Sequence, residues 1–293
     1  MSGFSAEWLA LREPVDHRSR NLALQAQVIQ FLGQVKAIDS GSIHITDLGS
    51  GTGSNLRALA PHFGLQQFWT LVDYDADLLQ SARTTLIAWA DSIVDANEAE
   101  LKRTTLGLIN PITIRKNSKT IAIEFQCADL VHDYQAILDK PADLITAAAF
   151  FDLVAEPWLV QFCAALIQPL YTVLTYNGIE KWSPPEAIDA DVLRAFHAHQ
   201  CTDKGFGAAV GPSGVDRLQS LLQDHGFTTV CAPSPWVMDQ HDRTLIEQLA
   251  IGTARAVRET ATLSNATINQ WEYARRNARQ CDIGHIDLFA YQS

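Results

Sequence analysis

Three acidic side chains stand at or near the ends of short apolar runs. Asp47 lies near the end of Ile43–Leu48, Asp73 follows Trp69–Val72, and Asp129 comes just after the run that ends at Phe125. Behind the first lies Asp47-Leu48-Gly49-Ser50-Gly51-Thr52-Gly53. Glycines suit a turn whose backbone must bend sharply and lie against a ligand, where a Cβ would obstruct the approach. A helix starting near Ser54 would offer free amides to an anionic or carboxylate-bearing ligand. Asp73, closing its strand, is placed to accept hydrogen bonds from a ribose diol.

These residues need a β-α-β unit to hold them. Ile43 to Asp77 predicts a strand, a glycine-rich turn, a helix and a second strand. A dinucleotide fingerprint has the spacing GxGxxG. Here the spacing is GxGxG, and position 54 is Ser. The motif resembles the class I S-adenosylmethionine-dependent methyltransferases, in which an acidic and an apolar residue precede GxGxG and an acidic residue closes strand two. Asp47, Leu48, the glycine run and Asp73 match those positions.

The resemblance, which covers roughly residues 43 to 291, implies a Rossmann-like three-layer αβα sandwich. Its mixed seven-stranded sheet would have the order 3-2-1-4-5-7-6, with strand seven antiparallel. It implies S-adenosyl-L-methionine as cofactor and S-adenosyl-L-homocysteine as product. Cofactor contacts would come from Asp47, Gly49, Ser50, Gly51, Gly53, Asp73, Tyr74, Asp129, Leu130 and Ala148. Asp47 would sit near the amino group and Asp73 on the ribose. Asp129, with the backbone of Leu130, would hold the adenine. Asp129 also reads as a helix cap.

The chain has 293 residues, 47% of them hydrophobic, and no apolar run long enough to span a membrane. A formal charge of −11 disfavours nucleic-acid backbone as a partner. The amino terminus lacks a secretion-signal pattern. Five cysteines without CxxC pairing fit reduced thiols in a cytoplasmic protein, with no metal site expected. The family's Asp/Asn-Pro-Pro-aromatic signature for nucleic-acid amines is absent, since Ala147-Ala148-Ala149-Phe150 occupies its place. A small-molecule acceptor is therefore expected. A protein acceptor, an NAD-dependent oxidoreductase and a non-catalytic cofactor-binding or scaffold protein stay as alternatives. Oligomeric state is left open.

One domain spanning 1–293 is expected. Residues 1–40 form a helical extension or lid, and residues 179–211 a substrate-recognition excursion. In the extension, Glu7–Arg12 predicts a short helix that Pro14 interrupts. Asp16 or Ser19 would cap the helix from Arg20 to Val35. Arg12, Arg18 and Arg20 form one basic group and Arg275, Arg276 and Arg279 another, both read as solvated helix surface.

A helix over Ala96–Arg103 is expected next, then a hairpin around Lys116–Lys119. Strand four starts at Asp143, and Asp152 reads as a cap on the helix after it. Strand five covers Leu170–Tyr176, strand six Phe227–Ala232 and strand seven Ile283–Tyr291. Arg12, Arg18, Phe150, Phe151, Trp182 and Lys204 are acceptor-pocket candidates. His197 and His199 are candidate general bases, and equally read as surface histidines.

Overall fold

The computed structural model describes residues 4–36, 41–94 and 109–292. Two helices open the chain, α1 (Ala6–Ser19) and α2 (Leu22–Lys36). The central unit follows: β1 (Ser42–Leu48), α3 (Ser54–Leu59), β2 (Gln66–Asp73), α4 (Ala76–Trp89) and β3 (Ser92–Ile93). Then come β4 (Ile112–Lys116), β5 (Lys119–Cys127), α5 (Leu130–Leu138), β6 (Leu144–Ala148), α6 (Glu156–Ala165) and β7 (Leu170–Ser183). The last part holds α7 (Asp189–Gln200), α8 (Gly214–Asp224), β8 (Thr228–Pro233), β9 (Trp236–Met238), α9 (Arg243–Thr260), α10 (Asn265–Arg275) and β10 (Gln280–Tyr291).

The strands form one ten-stranded sheet of order β3-β4-β5-β2-β1-β6-β7-β10-β8, with β9 pairing β10 off that path. β5, β2, β1, β6 and β7 run parallel, and β10 is antiparallel to both β7 and β8. The order differs from the expected seven-stranded one through the added strands β3, β4 and β9. The hairpin between β4 and β5 turns on Asn117 and Ser118, both at positive φ. The helix expected at Ala96–Arg103 lies outside the described residues.

Side chains alternate between two apolar cores, one on each face of the sheet. Ile45, Leu71, Leu144 and Val173 point to the face covered by α2, α3, α4, α7, α9 and α10. Leu48, Val72, Ile145 and Leu170 point to the face covered by α5, α6 and α8. This is a three-layer αβα arrangement.

Several local expectations need correction. Pro14 does not end its helix, because α1 continues through it and buries Val15 and Asp16 beyond. Asp16 and Ser19 do not cap α2; Asn21 Oδ1 accepts from the Leu24 amide at 3.0 Å instead. Asp152 does not cap α6, whose cap position is Ala155. Arg20 and Arg275 are not solvated, being 4% and 1% exposed. Arg275 reaches under α7 and makes two hydrogen bonds to the Asp189 carboxylate at 2.9 and 2.8 Å.

Candidate active site

Strand β1 enters the turn with Asp47 fully buried. Gly49, Gly51 and Gly53 all adopt positive φ. The turn is pressed from two sides. A Cβ on Gly49 would lie 2.9 Å from Phe150 Cδ2, and one on Gly51 would lie 2.9 Å from Leu9 Cδ1. Glycine at 49 and 51 thus serves the positive-φ conformation, and at 49 also leaves space for the Phe150 ring.

Asp73 fastens this turn to the next strand. Its Oδ2 accepts from the Gly51 amide at 2.8 Å and its Oδ1 from the Asp75 amide at 3.0 Å. Ser50 N donates to Val72 O at 3.0 Å, and Ala128 N donates to Asp73 O at 3.0 Å. The tips of β1, β2 and β5 are therefore joined side by side. Burial raises the Asp73 carboxyl above its usual range, against the Asp75 and Gly51 amides that lower it.

Beneath the turn, Asn55 Nδ2 donates to Asp47 Oδ1 at 2.7 Å and to Thr146 Oγ1 at 3.1 Å. Burial pushes the Asp47 carboxyl up to about 7, opposed by Asn55 and by the charge of Arg20. Asp47 Oδ2, Ser50 Oγ and Arg20 Nε and Nη1 are buried without hydrogen-bond partners. An open carboxylate oxygen with open guanidinium nitrogens in its electrostatic reach suits a ligand end carrying both an ammonium and a carboxylate.

Helix α1 lies over this turn. Glu13 receives Arg57 Nε at 2.8 Å, while Arg57 Nη1 donates to Thr52 O at 2.8 Å. His17 Nε2 lies 3.0 Å from Ser54 Oγ. One turn of α1 from Leu9, Arg12 reaches a separate cavity.

That cavity encloses about 630 Å³ of empty space, part of it open to solvent. Its wall includes Arg12, Asp152, Tyr176, Glu180, Trp236 and His285. Residues of the glycine turn do not line it, but Ala149 does, directly after Ala148 at the end of β6. Two features of β10 build the wall. Its antiparallel course sets Ile283 beside Glu180 and His285 beside Tyr176. The register shifts between Ile283 and His285, where Gly284 packs so tightly that a Cβ would stand 2.2 Å from Asn177 Oδ1.

The wall is rich in titratable groups. Tyr176 Oη lies 3.2 Å from Glu180 Oε1 and 3.0 Å from His197 Nε2. Trp182 Nε1 donates to Glu180 Oε2 at 3.4 Å. Burial pushes Glu180 up to about 7 and Asp152 up to about 6. Burial also raises the Tyr176 phenol and lowers His197. His285 is pushed down to about 3, first by burial and then by the charge of Arg12, and is therefore neutral at pH 7.

The sequence-derived candidates fall into distinct places. Arg12 and Trp182 line the cavity. Phe150 lies over Gly49 and packs edge-to-face on Phe151, Trp158 and Phe206. Phe151 is wholly inside the core. Asp129 is exposed at the tip of β5 and caps α5, its Oδ1 accepting from Val131 N at 2.9 Å. Leu130 is buried beside it, and Tyr74 is exposed beside Asp73.

Arg18 points outward to Asp242 and Val237 O. His199 pairs with Glu259 at 3.0 Å, and Lys204 lies 3.4 Å from His199, so neither joins the cavity wall. His197 touches the site only through Tyr176. Among the described residues no group of three His, Cys, Asp or Glu side chains could hold a metal ion. None of their helices is long and apolar enough to cross a membrane.

Sequence reasoning passed over Asp152, Tyr176, Glu180, Trp236 and His285 as site residues. Glu180 and Trp182, two apart on an extended strand, share a face, and that spacing was the available signal.

No family model and no curated protein matches this chain. Solved structures do. The chain is similar to a cyclopropane-fatty-acyl-phospholipid synthase-like protein from Lactobacillus casei ATCC 334, with 15% identity, 99% of this chain and 95% of that chain covered, and a TM-score of 0.51. It is also matched by the cyclopropane synthase MmaA2 from Mycobacterium tuberculosis, with 12% identity, 90% and 83% coverage and a TM-score of 0.43. At these identities the likeness is one of fold, and the fold is that of the class I S-adenosylmethionine-dependent methyltransferases.

Proposed function

We propose that this chain binds S-adenosylmethionine across the tips of β1, β2 and β5 and directs its methyl group to a small acceptor in the adjoining cavity. The observation that carries this reading is the Gly51–Asp73 hydrogen bond of 2.8 Å, which sets a ribose-accepting carboxylate against a glycine cradle. Asp47 Oδ2 would receive the amino group, and Arg20 with Ser50 the carboxylate of the methionine end. Asp73 and Tyr74 flank the ribose, Asp129 and Leu130 the adenine, and Ala148 the path toward the cavity. Phe150 offers an aromatic face to a cationic sulfur.

The cofactor supplies a methyl carbon activated by positive sulfur. The chain's own task is then to align the acceptor and exclude water. Ala149 and Asp152 follow the end of β6 and form the cavity side of that junction. Helix α1 serves as the lid, covering the turn with Leu9 and the cavity with Arg12. The segment after Tyr176 supplies acceptor recognition through Glu180 and Trp182.

Isothermal titration of the protein with S-adenosylmethionine, S-adenosylhomocysteine and NAD tests the reading. Binding of the first two and not of NAD is expected, followed by label transfer from methyl-labelled cofactor to a metabolite. Binding of NAD alone would overturn it.

A further inference from the structure

We infer that the acceptor is an amine, held as its ammonium between Asp152 and Glu180, with an apolar body against the aromatic wall. The inference rests on the methyl-transfer reading and names the acceptor class for the same cavity. Its basis is an imbalance of donors and acceptors. The wall's indole donors and two of the Arg12 nitrogens are already engaged, while the ring nitrogen His285 Nδ1 is buried without a partner. Trp236 Nε1 donates to Asp16 Oδ1 at 3.0 Å, and Trp182 Nε1 to Glu180 Oε2 at 3.4 Å. Arg12 gives Nε and Nη2 to Asp16 at 2.8 and 3.2 Å, and its guanidinium lies over the Trp236 ring at 5.0 Å.

Acceptors remain open. Asp152 is 8% exposed, and its Oδ1 has no partner. Gln200 Oε1, also on the wall, has none either. An unpaired buried acceptor is costly, so a ligand that supplies donors is favoured. Charge points the same way. Arg12 is paired with Asp16 at 2.8 Å and favours the Asp152 carboxylate only through its charge, while no cation acts on Glu180 among the causes that set its proton affinity. A carboxylate acceptor would meet like charge, and an alcohol would bring no charge at all. Trp182, Phe196, Trp236 and Leu249 supply the surface for an apolar body.

The chemistry balances. The ammonium first gives a proton to the Asp152 or Glu180 carboxylate, which passes it on to water. The free nitrogen pair then forms a bond to the methyl carbon as the carbon–sulfur bond breaks, and sulfur keeps that electron pair. Buried carboxyls with raised proton affinity accept such a proton better than exposed ones.

The experiment compares 2-phenylethylamine, 2-phenylethanol and 3-phenylpropanoate by calorimetry on the full chain saturated with S-adenosylhomocysteine. The amine is expected to bind at least about tenfold more tightly than the other two. Asp152→Asn and Glu180→Gln should each remove most of that preference while S-adenosylhomocysteine affinity is unchanged, which shows that the variants are folded. With methyl-labelled cofactor, label should appear on nitrogen. Equal or absent amine binding, with S-adenosylhomocysteine still bound, would overturn the amine assignment and leave the cofactor site standing. Failure to bind S-adenosylhomocysteine would remove both.

Discussion

The Gly51 amide donates to Asp73 Oδ2 across 2.8 Å, so the same carboxylate that would hold a ribose also fixes the shape of the turn. Asp73→Ala removes both functions. S-adenosylmethionine affinity should fall by about tenfold or more, since hydrogen bonds to a charged group contribute roughly 1.5–3 kcal/mol. Asp73→Asn should also bind poorly, because its amide nitrogen would face either the Gly51 or the Asp75 donor. Calorimetry on both variants checks this, and unchanged affinity would sink the ribose assignment.

Gly51→Ala should destabilise the protein by roughly 1–3 kcal/mol, from a strained positive φ and from crowding. The new Cβ would meet Leu9 Cδ1 at 2.9 Å. Leu9→Ala in the same chain should relieve part of that loss. A double-mutant cycle by urea denaturation measures the coupling. Strict additivity would mean that α1 does not rest on the turn in solution.

Gly284→Ala should cost about 1–3 kcal/mol of stability by overpacking. The Asn177 amide can rotate away from a new Cβ, but the Cβ of Ile179, 2.8 Å distant, cannot. The irregularity between Ile283 and His285 must then open, and His285 moves with it. Thermal denaturation and the quenching of tryptophan fluorescence at the cavity wall report the two effects.

Asp47 sets a pH dependence of stability. Its folded value of about 7 stands above the ordinary carboxyl value of 3.8, so between these values the folded protein holds a proton that the unfolded chain has released. Stability from this group is therefore full below the unfolded value and declines as pH rises toward 7, by on the order of 4 kcal/mol in total. Asp47→Asn keeps an acceptor for Asn55 and does not titrate. Without cofactor, the variant should gain on the wild type as pH rises from 4 to 7 and hold that gain above. A constant difference across this range would contradict the buried, ligand-free carboxyl.

The glycine-turn half of the molecule was legible because its information is local. The glycines, Asp47 and Asp73 belong to one β-α-β unit, and the alternation around them gives strand and face directly. The hairpin around Asn117 was legible for the same reason. The cavity wall was not. Tyr176 meets His285 only because β10 returns antiparallel beside β7, and nothing near either residue announces that pairing. Asp152 looked like a helix cap because it precedes Glu156-Pro157, yet the chain makes an extra turn first and sends that carboxyl to the cavity. Pro14 misled in the opposite direction, since burial of Val15 and Asp16 holds the helix together beyond it.

Leu9 and Arg12 sit one turn apart on α1, the first against the glycine turn and the second on the cavity wall. A helix moves as a rigid rod, so lifting Leu9 from Gly51 also draws Arg12 from Trp236. On the proposed reading of α1 as a lid, the glycine turn and the cavity would share one door. Loading and emptying either site would swing the same piece of chain.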